Sequence, residues 1–571
     1  MVAPKLKMRL GDLLVHEHIV TNEQLMQALN SQKETGRKLG DSLIELGYIS
    51  ERQLLEFLAQ QLDVPFLDIS QRRIPSEIAN ELPEVHARRL RALIIESDHE
   101  SVLIGMSDPA DLGGLDQLER MLAPKRIKLA VVMESQLFEA FDSLYRRTAD
   151  IESFASQLEE EYEETSDFDL STSFVDETGD ATVGKLLQSV FEDAVQVRAS
   201  DIHIEPDDNL LRIRQRIDGV LQENILKESK IAAAMVLRLK LMAGLDISEK
   251  RLPQDGRFNL QIKGHDIDVR MSTMPVQHGE SVVMRLLDQS AGLLSLDETG
   301  MPPKLVERLR HQITRPHGMI LVTGPTGSGK TTTLYGALSE LNQASKKIIT
   351  VEDPVEYRLP RINQVQINSK IDLSFSSILR TSLRQDPDIL MVGEMRDQET
   401  VEIGLRGALT GHLVLSTLHT NDSITSALRL IDMGAAGYLV GSSLRAVVAQ
   451  RLVRRVCDNC REDYQPDSQE MFWLKNLEGE RAEKASFVHG KGCQSCNYSG
   501  YKGRVGVFEL LEMNEPMMAA LKRNDAEKFT ELSKANPTFV PLAHAAFEYA
   551  EQGITSIEEV LRLVETVDVA G

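Results

Sequence analysis

An α/β multidomain fold is predicted by three features of this 571-residue sequence. A Gly-rich stretch, Gly324-Pro325-Thr326-Gly327-Ser328-Gly329-Lys330-Thr331, stands between the apolar run Met319–Val322 and a helix-like start at Thr332–Tyr335. From about Pro302 to Val456 strand-like and helix-like patterns alternate, as a parallel sheet requires. Outside that core lie a duplicated helical pattern near the N-terminus and two Cys-x-x-Cys pairs between Cys457 and Cys496. One hydrophobic core cannot serve a chain of this length, so about three to five domains are expected.

A glycine-rich turn between strand and helix lets backbone N–H groups wrap a phosphate chain, with the helix N-terminus adding positive potential. Lys330 would reach the β- and γ-phosphates and the Thr331 hydroxyl would sit on Mg²⁺. Residues Gly324 to Thr332 are therefore the expected ATP-binding loop.

Composition narrows the class. Asp and Glu total 87 against 64 Lys and Arg, a net charge of −23, which argues against a nucleic acid polymer as partner. Apolar runs fall short of the roughly 20 residues that span a bilayer. The start, Met1–Lys7, carries two lysines with no signal-like apolar core behind it. A cytoplasmic protein is expected, peripherally docked on an inner-membrane complex. All four cysteines lie close together, which suggests a metal site rather than disulfides.

Residues 9–32 and 38–61 are two 24-residue copies of one pattern, identical at eight aligned positions, among them Leu10/Leu39, Gly11/Gly40, Gln24/Gln53 and Gln32/Gln61. Each reads as two short helices, the second capped by Thr21 or Ser50. Leu25 and Leu29, like Leu54 and Leu58, lie four apart on one face. A duplicated unit suits a ligand with two-fold character; the plainer reading is a helical docking domain with a leucine core. The segment resembles the MshE N-terminal domain family, which binds cyclic di-GMP through two such motifs and a short spacer, here Lys33–Arg37. That resemblance implies contacts from Arg9, Leu10, Gly11, Asp12, Leu25, Leu29 and Gln32 in the first copy. In the second it implies Lys38, Leu39, Gly40, Asp41, Leu54, Leu58 and Gln61, with Arg37 and Asp108 in addition. His18 stands where the second copy has Gly47, so the two turns are expected to differ. The domain is placed at residues 1–147, with a strand over Val102–Met106 and an amphipathic helix from Ser135.

Between Ala149 and Asp180 there are twelve acidic residues and no Lys or Arg, which predicts a flexible linker over 148–180. Residues 181–298 then read as an α/β domain. Arg257, Arg270 and Arg285 sit on or beside its predicted strands; arginine's planar fork suits the charge developing in phosphoryl transfer. For each alone, an ordinary surface ion pair is the simpler assignment.

In the core, 299–456, three further strands end in polar residues: Lys347–Val351 in Glu352–Glu356, Asp388–Val392 in Gly393-Glu394, and the His412–His419 run. Ligands of open α/β sheets collect at the carboxyl ends of strands. The ordered set from Ala199 to Arg504 resembles the secretion and type IV pilus assembly ATPases, with Walker A, an acidic box, Walker B and a histidine box. That resemblance implies a RecA-like fold, a homo-hexameric ring, and Arg257, Arg270 and Arg285 reaching the nucleotide. The Walker B strand lacks its usual terminal aspartate, having Gly393 there, so Mg²⁺ would rest on Thr331, phosphates and water. Glu394 and Glu356 are both candidates to orient or deprotonate the attacking water. His412 and His419 are candidate γ-phosphate sensors or, equally, hydrogen-bonded structural histidines.

Cys457, Cys460, Cys493 and Cys496 form two hooks 32 residues apart, a set suited to structural Zn²⁺ in a module at 457–500. The tail, 501–571, reads as helical. These readings together predict an ATPase powering type IV (MSHA-type) pilus assembly under cyclic di-GMP control, working with inner-membrane platform proteins. A type II secretion ATPase, a DNA translocase and a non-hydrolysing scaffold are the alternatives.

Overall fold

In a computed structural model of the protein, the described residues are 10–35, 39–70, 72–108, 111–145, 148–164, 177–228, 231–289 and 294–568. Arg9, Arg37 and Lys38 lie outside them, as do the side chains of Leu10, Asp12 and Asp41. The chain divides into two compact units, 1–256 with 271–285 and 491–500, and 257–270 with 286–490 and 501–571.

Each N-terminal repeat is a helix pair, Leu10–His16 with Asn22–Thr35 and Leu39–Glu45 with Glu51–Leu62. Reciprocal capping starts the second helix of each copy. Gln24 N–H donates to Thr21 Oγ1 while Thr21 N–H donates to Gln24 Oε1, and Ser50 and Gln53 repeat the arrangement. The repeated Gln24 and Gln53 are therefore structural. A Cβ at Gly11 would lie 2.8 Å from Leu25 Cδ1, and one at Gly40 would lie 2.9 Å from Leu54 Cδ2. These glycines bring the two helices of each copy together.

The expected difference between the two turns is not found. His18 (φ 59°) and Gly47 (φ 71°) both adopt the left-handed conformation. Their N–H groups donate to Val15 O and Ile44 O, and the next residues donate to Leu14 O and Leu43 O. Histidine tolerates this backbone, at a cost glycine avoids.

A three-stranded sheet follows, in the order Ala92–Ser97, Ser101–Met106, Arg126–Val131, with the helices Leu112–Leu122 and Glu134–Leu144. Its core includes Leu93, Ile104, Leu118 and Phe141. The acidic stretch departs from expectation: Thr148–Glu164 is a helix. Ile151, Ala155 and Leu158 bury one stripe of it, and Asp150, Glu152 and Glu159 fall outside that stripe. Residues 165–176 lie outside the described set. A six-stranded sheet comes next, in the order Val220–Leu226, Leu211–Ile217, Asp201–Pro206, Gly279–Asp288, His265–Val276, Gln254–Ile262. Asp201–Pro206 pairs antiparallel with both neighbours.

The core sheet has seven strands, ordered Asn363–Gln366, Ile348–Glu352, Ile389–Val392, Leu413–Leu418, Gly318–Thr323, Leu444–Val456, Tyr501–Glu512. The first six run parallel. Met319 and Leu321 enter one apolar cluster, while Ile320 and Val322 enter another. Because successive side chains alternate, both sheet faces are covered, and such strands read as unbroken apolar runs. The predicted helical tail needs correction at its start. Tyr501–Glu512 is the seventh strand, antiparallel to Leu444–Val456, and helices begin at Glu515. The cysteine module is thus an insertion between two paired strands.

Candidate nucleotide site and metal centre

Gly318–Thr323 delivers the chain to the P-loop, and Lys330–Leu341 leaves it as a helix with Gly329 at its cap. Gly324, Gly327 and Gly329 have φ of 148°, 79° and 88°, so the loop needs residues free of a Cβ. Lys330 is buried, and its Nζ donates to Gly324 O at 2.7 Å and Pro325 O at 3.0 Å. Burial pushes its pKa down to about 8; Glu394 pulls the other way and Arg451 adds to the depression. Thr331 and Thr332 are exposed at the helix start, and Ser328 Oγ is buried without a hydrogen-bond partner. An ammonium turned onto its own loop, an orphaned hydroxyl and two exposed ones suit a polyphosphate with its cation.

The strand ends sort the acids. Glu352 is buried and fully bonded, accepting from Tyr335 Oη, from Thr350 Oγ1 at 2.5 Å and from Gln364 Nε2 at 3.2 Å. It braces the loop, and burial beside it holds the Tyr335 phenol well above its usual range. Glu356 faces Arg270, with Nη2 to Oε2 at 2.5 Å. Glu394 is mostly buried and pairs with His419 Nε2 at 3.0 Å and with Arg396. The glycine before it has a structural cause: a Cβ at Gly393 would press to 3.2 Å on Val351 O.

Of the three arginines, Arg270 alone among them pairs with a core acid. Arg257 pairs with Asp268 at 2.5 Å and Arg285 with Asp201 at 3.2 Å, both arginine side chains being more than half exposed. His412 is not brought to this edge. It precedes the strand Leu413–Leu418, at the end opposite His419, and its Nδ1 bonds Gly407 O at 2.9 Å. Six strand residues separate the two histidines, so they serve opposite sheet edges, and His412 closes the helix Gln398–Leu409.

Sequence reading passed over Gln450 and Arg451 on the adjacent strand. Thr333 Oγ1 donates to Gln450 Oε1 at 2.7 Å, and a Cβ at Gly324 would meet Gln450 O at 2.4 Å. Only tertiary packing puts these residues beneath the P-loop.

The four cysteines are buried, with their sulfurs within 4.8 Å of one another. Cys493 Sγ and Cys496 Sγ are 3.8 Å apart, as expected for two ligands at about 2.3 Å from one tetrahedral ion. The N–H groups of Cys493 and Gly500 donate to Cys496 Sγ. In the repeats, Leu25 and Leu54 are buried, whereas Leu29, Leu58, Leu39, Gln32 and Gln61 stay half-buried. Asp108 is half-buried just after the strand Ser101–Met106.

A phosphate-cradling loop at the carboxyl edge of a parallel sheet, flanked by an acid and a histidine on neighbouring strand ends, defines a P-loop nucleotide-binding protein. The chain belongs to the type II/IV secretion system protein family, whose model matches residues 176–562. An MshEN domain matches residues 62–151, the segment that follows the repeats. The type IV pilus assembly ATPase PilB of Myxococcus xanthus is 40% identical over 509 residues, 88% of this chain and 89% of that protein. Type II secretion system ATPase E of Vibrio cholerae is 43% identical over 77% of this chain and 85% of its own length. Type II secretion system protein E of Xanthomonas campestris is 38% identical over 98% of both. The solved structure of the Legionella pneumophila ATPase DotB shares the fold, at 20% identity and a TM-score of 0.50, covering 66% of this chain and 95% of that one. A solved structure of MshE with cdg is 51% identical, covering 24% of this chain and 98% of that one, with a TM-score of 0.23. No helix among the described residues is long and apolar enough to cross a membrane.

Proposed function

We propose that this protein is a hexameric ATPase whose ATP hydrolysis powers type IV pilus assembly of the MSHA type, with cyclic di-GMP bound by its N-terminal domain as the regulator. The carrying observation is Glu394, held by His419 at the same sheet edge as the P-loop. In this reading Lys330 leaves its loop carbonyls for the β- and γ-phosphates, and Thr331 holds Mg²⁺. Glu394 orients the attacking water or takes its proton, and Arg270 and Glu356 form a second ion pair, beyond the end of the strand Ile348–Glu352. Arg257 and Arg285, whose side chains are more than half exposed, would exchange Asp268 and Asp201 for a neighbouring subunit's nucleotide. Zn²⁺ on Cys457, Cys460, Cys493 and Cys496 is structural, because four thiolates leave no open position.

The duplicated motif and the MshEN match support cyclic di-GMP. Half-buried Leu29 and Leu58, with Gln32 and Gln61 one turn further on, offer each copy an apolar patch and an amide. Type II secretion is the second reading, favoured by relatives so named that align over nearly the whole chain.

The test is phosphate release by the purified full-length protein with and without cyclic di-GMP, alongside calorimetric titration of Gln32→Ala and Gln61→Ala. Turnover with binding that the variants lose supports the whole proposal. Turnover without binding reduces the repeats to a docking domain. Deleting the gene then separates the readings: lost pili against lost export of secreted enzymes.

A further inference from the structure

The strand Leu444–Val456 carries two polar residues that no motif explains, Gln450 and Arg451, both buried. Thr323 pairs with Ala449, so the strand passes directly behind the point where the P-loop begins. Gln450 touches both ends of that loop. Its carbonyl abuts Gly324, and its amide nitrogen lies 2.7 Å from where a Cβ at Gly329 would stand. Arg451 Nη1 donates to the same carbonyl at 3.0 Å. Its Nη2 donates to Asn421 O at 2.7 Å and Asn421 Oδ1 at 3.2 Å.

Asn421 belongs to the loop that carries His419. Its neighbour Thr420 is latched to the base of the P-loop, donating N–H to Thr323 Oγ1 at 3.1 Å, with the two hydroxyls 2.6 Å apart. One guanidinium therefore bonds both the carbonyl that abuts Gly324 of the phosphate loop and the loop whose histidine holds Glu394.

Among the described residues no carboxylate forms an ion pair with Arg451; Glu509 and Asp422 favour its charge from beyond contact, and burial lowers its pKa. Glu509 is itself buried, its oxygens taken by Ser423 and by Leu542 N–H, and burial raises its pKa. An uncompensated buried cation is costly unless an anion arrives to meet it. The charged groups acting on Lys330 are Glu394 and this same arginine, so two cations share the floor of the site. A nucleotide's phosphates are the anion that such a pair awaits.

We propose that Arg451 is a positioning residue for ATP hydrolysis, holding the P-loop to the His419 loop and supplying a buried positive charge behind the phosphates. The proposal rests on the ATPase reading. Arg451→Gln keeps N–H donors and removes the charge, Arg451→Lys keeps the charge and loses the fork, and Asn421→Ala removes the side-chain acceptor on the His419 loop while the Asn421 backbone carbonyl stays. With full-length protein, steady-state kcat and KM and the pH dependence of ATP binding are measured for each.

Arg451→Gln should lower kcat by about tenfold or more and move the pH midpoint of ATP binding upward, since Lys330 loses a repelling neighbour. Arg451→Lys should keep the wild-type midpoint while kcat stays low, and Asn421→Ala should lower kcat with KM nearly unchanged. A folded Arg451→Gln with kcat within about twofold of wild type, or with an unmoved midpoint, overturns the proposal. Should that variant fail to fold, unchanged kcat in both Arg451→Lys and Asn421→Ala overturns it equally. If the wild type turns over no ATP the enzymatic reading fails, and the midpoint of nucleotide binding still decides the role of Arg451.

Discussion

His419 Nε2 lies 3.0 Å from Glu394 Oε2, joining the carboxyl ends of two adjacent parallel strands. Glu394 is nearly buried while His419 is half exposed, so the histidine fixes the carboxylate from the solvent side. A group that orients or deprotonates water in the transition state contributes roughly 10²–10⁴-fold. Glu394→Gln should therefore lower the single-turnover rate by about 10²-fold or more with ATP affinity retained. His419→Ala, acting through Glu394, should cost about tenfold. A wild-type rate in Glu394→Gln would remove this residue from the mechanism.

Lys330 gives a pH dependence of definite sign. Its pKa is depressed to about 8 in the folded protein, against an ordinary value near 10.5. Between those values the unfolded chain holds the extra proton, so stability of the nucleotide-free protein rises with pH through that window. Below it, the full cost of burying the ammonium is present. Lys330→Met should raise the melting temperature at pH 7 and flatten its rise toward pH 9.5. It should also abolish nucleotide binding. An identical pH slope in wild type and variant would contradict the depressed pKa.

The parts legible in the sequence share a physical cause. Core strands covered on both faces appear as continuous apolar runs, so Met319–Val322 and Ile389–Val392 were found where the sheet has them. Tyr501–Glu512 was hidden because Lys502, Gly503, Arg504 and Gly506 interrupt its first half and a buried Glu509 its second. Twelve acids masked the stripe of Ile151, Ala155 and Leu158, although their spacing of four and three is helical. Of the two readings of His412 the structure fits the hydrogen-bonded one, because a motif treats two histidines as one box while a strand carries its ends to opposite edges. Gln450 and Arg451 left no local signal, since their role exists only once the P-loop packs against them.

The cysteine hooks predict a metal-dependent module with a confined failure. Val456 pairs with Tyr501 across the insertion, so the sheet holds both of its stems. Elemental analysis of the full-length protein should find about one zinc per chain. Cys493→Ser should lose the metal and open residues 457–500 to limited proteolysis, while the core transition in thermal unfolding persists. Metal-free wild-type protein with a protease-resistant module would count against the site.

The matched turns at His18 and Gly47 allow a test in which only the backbone changes. Both positions are exposed and share the left-handed conformation and the same pair of carbonyl acceptors. A Cβ at Gly47 would meet nothing within 4 Å, so a side chain there costs no packing. Left-handed backbone is disfavoured for residues with a Cβ, and glycine is the usual residue at this point past a helix end. His18→Gly should therefore stabilise the repeat by about 0.5–1 kcal/mol, and Gly47→His should destabilise it by a similar amount. Amide hydrogen exchange across residues 10–62 of the full-length protein reads both changes, as slower exchange in the first variant and faster in the second. Opposite signs with similar size would establish that the two copies differ in sequence at this turn and not in shape. Equal signs would mean that the His18 side chain makes contacts that outweigh the backbone cost.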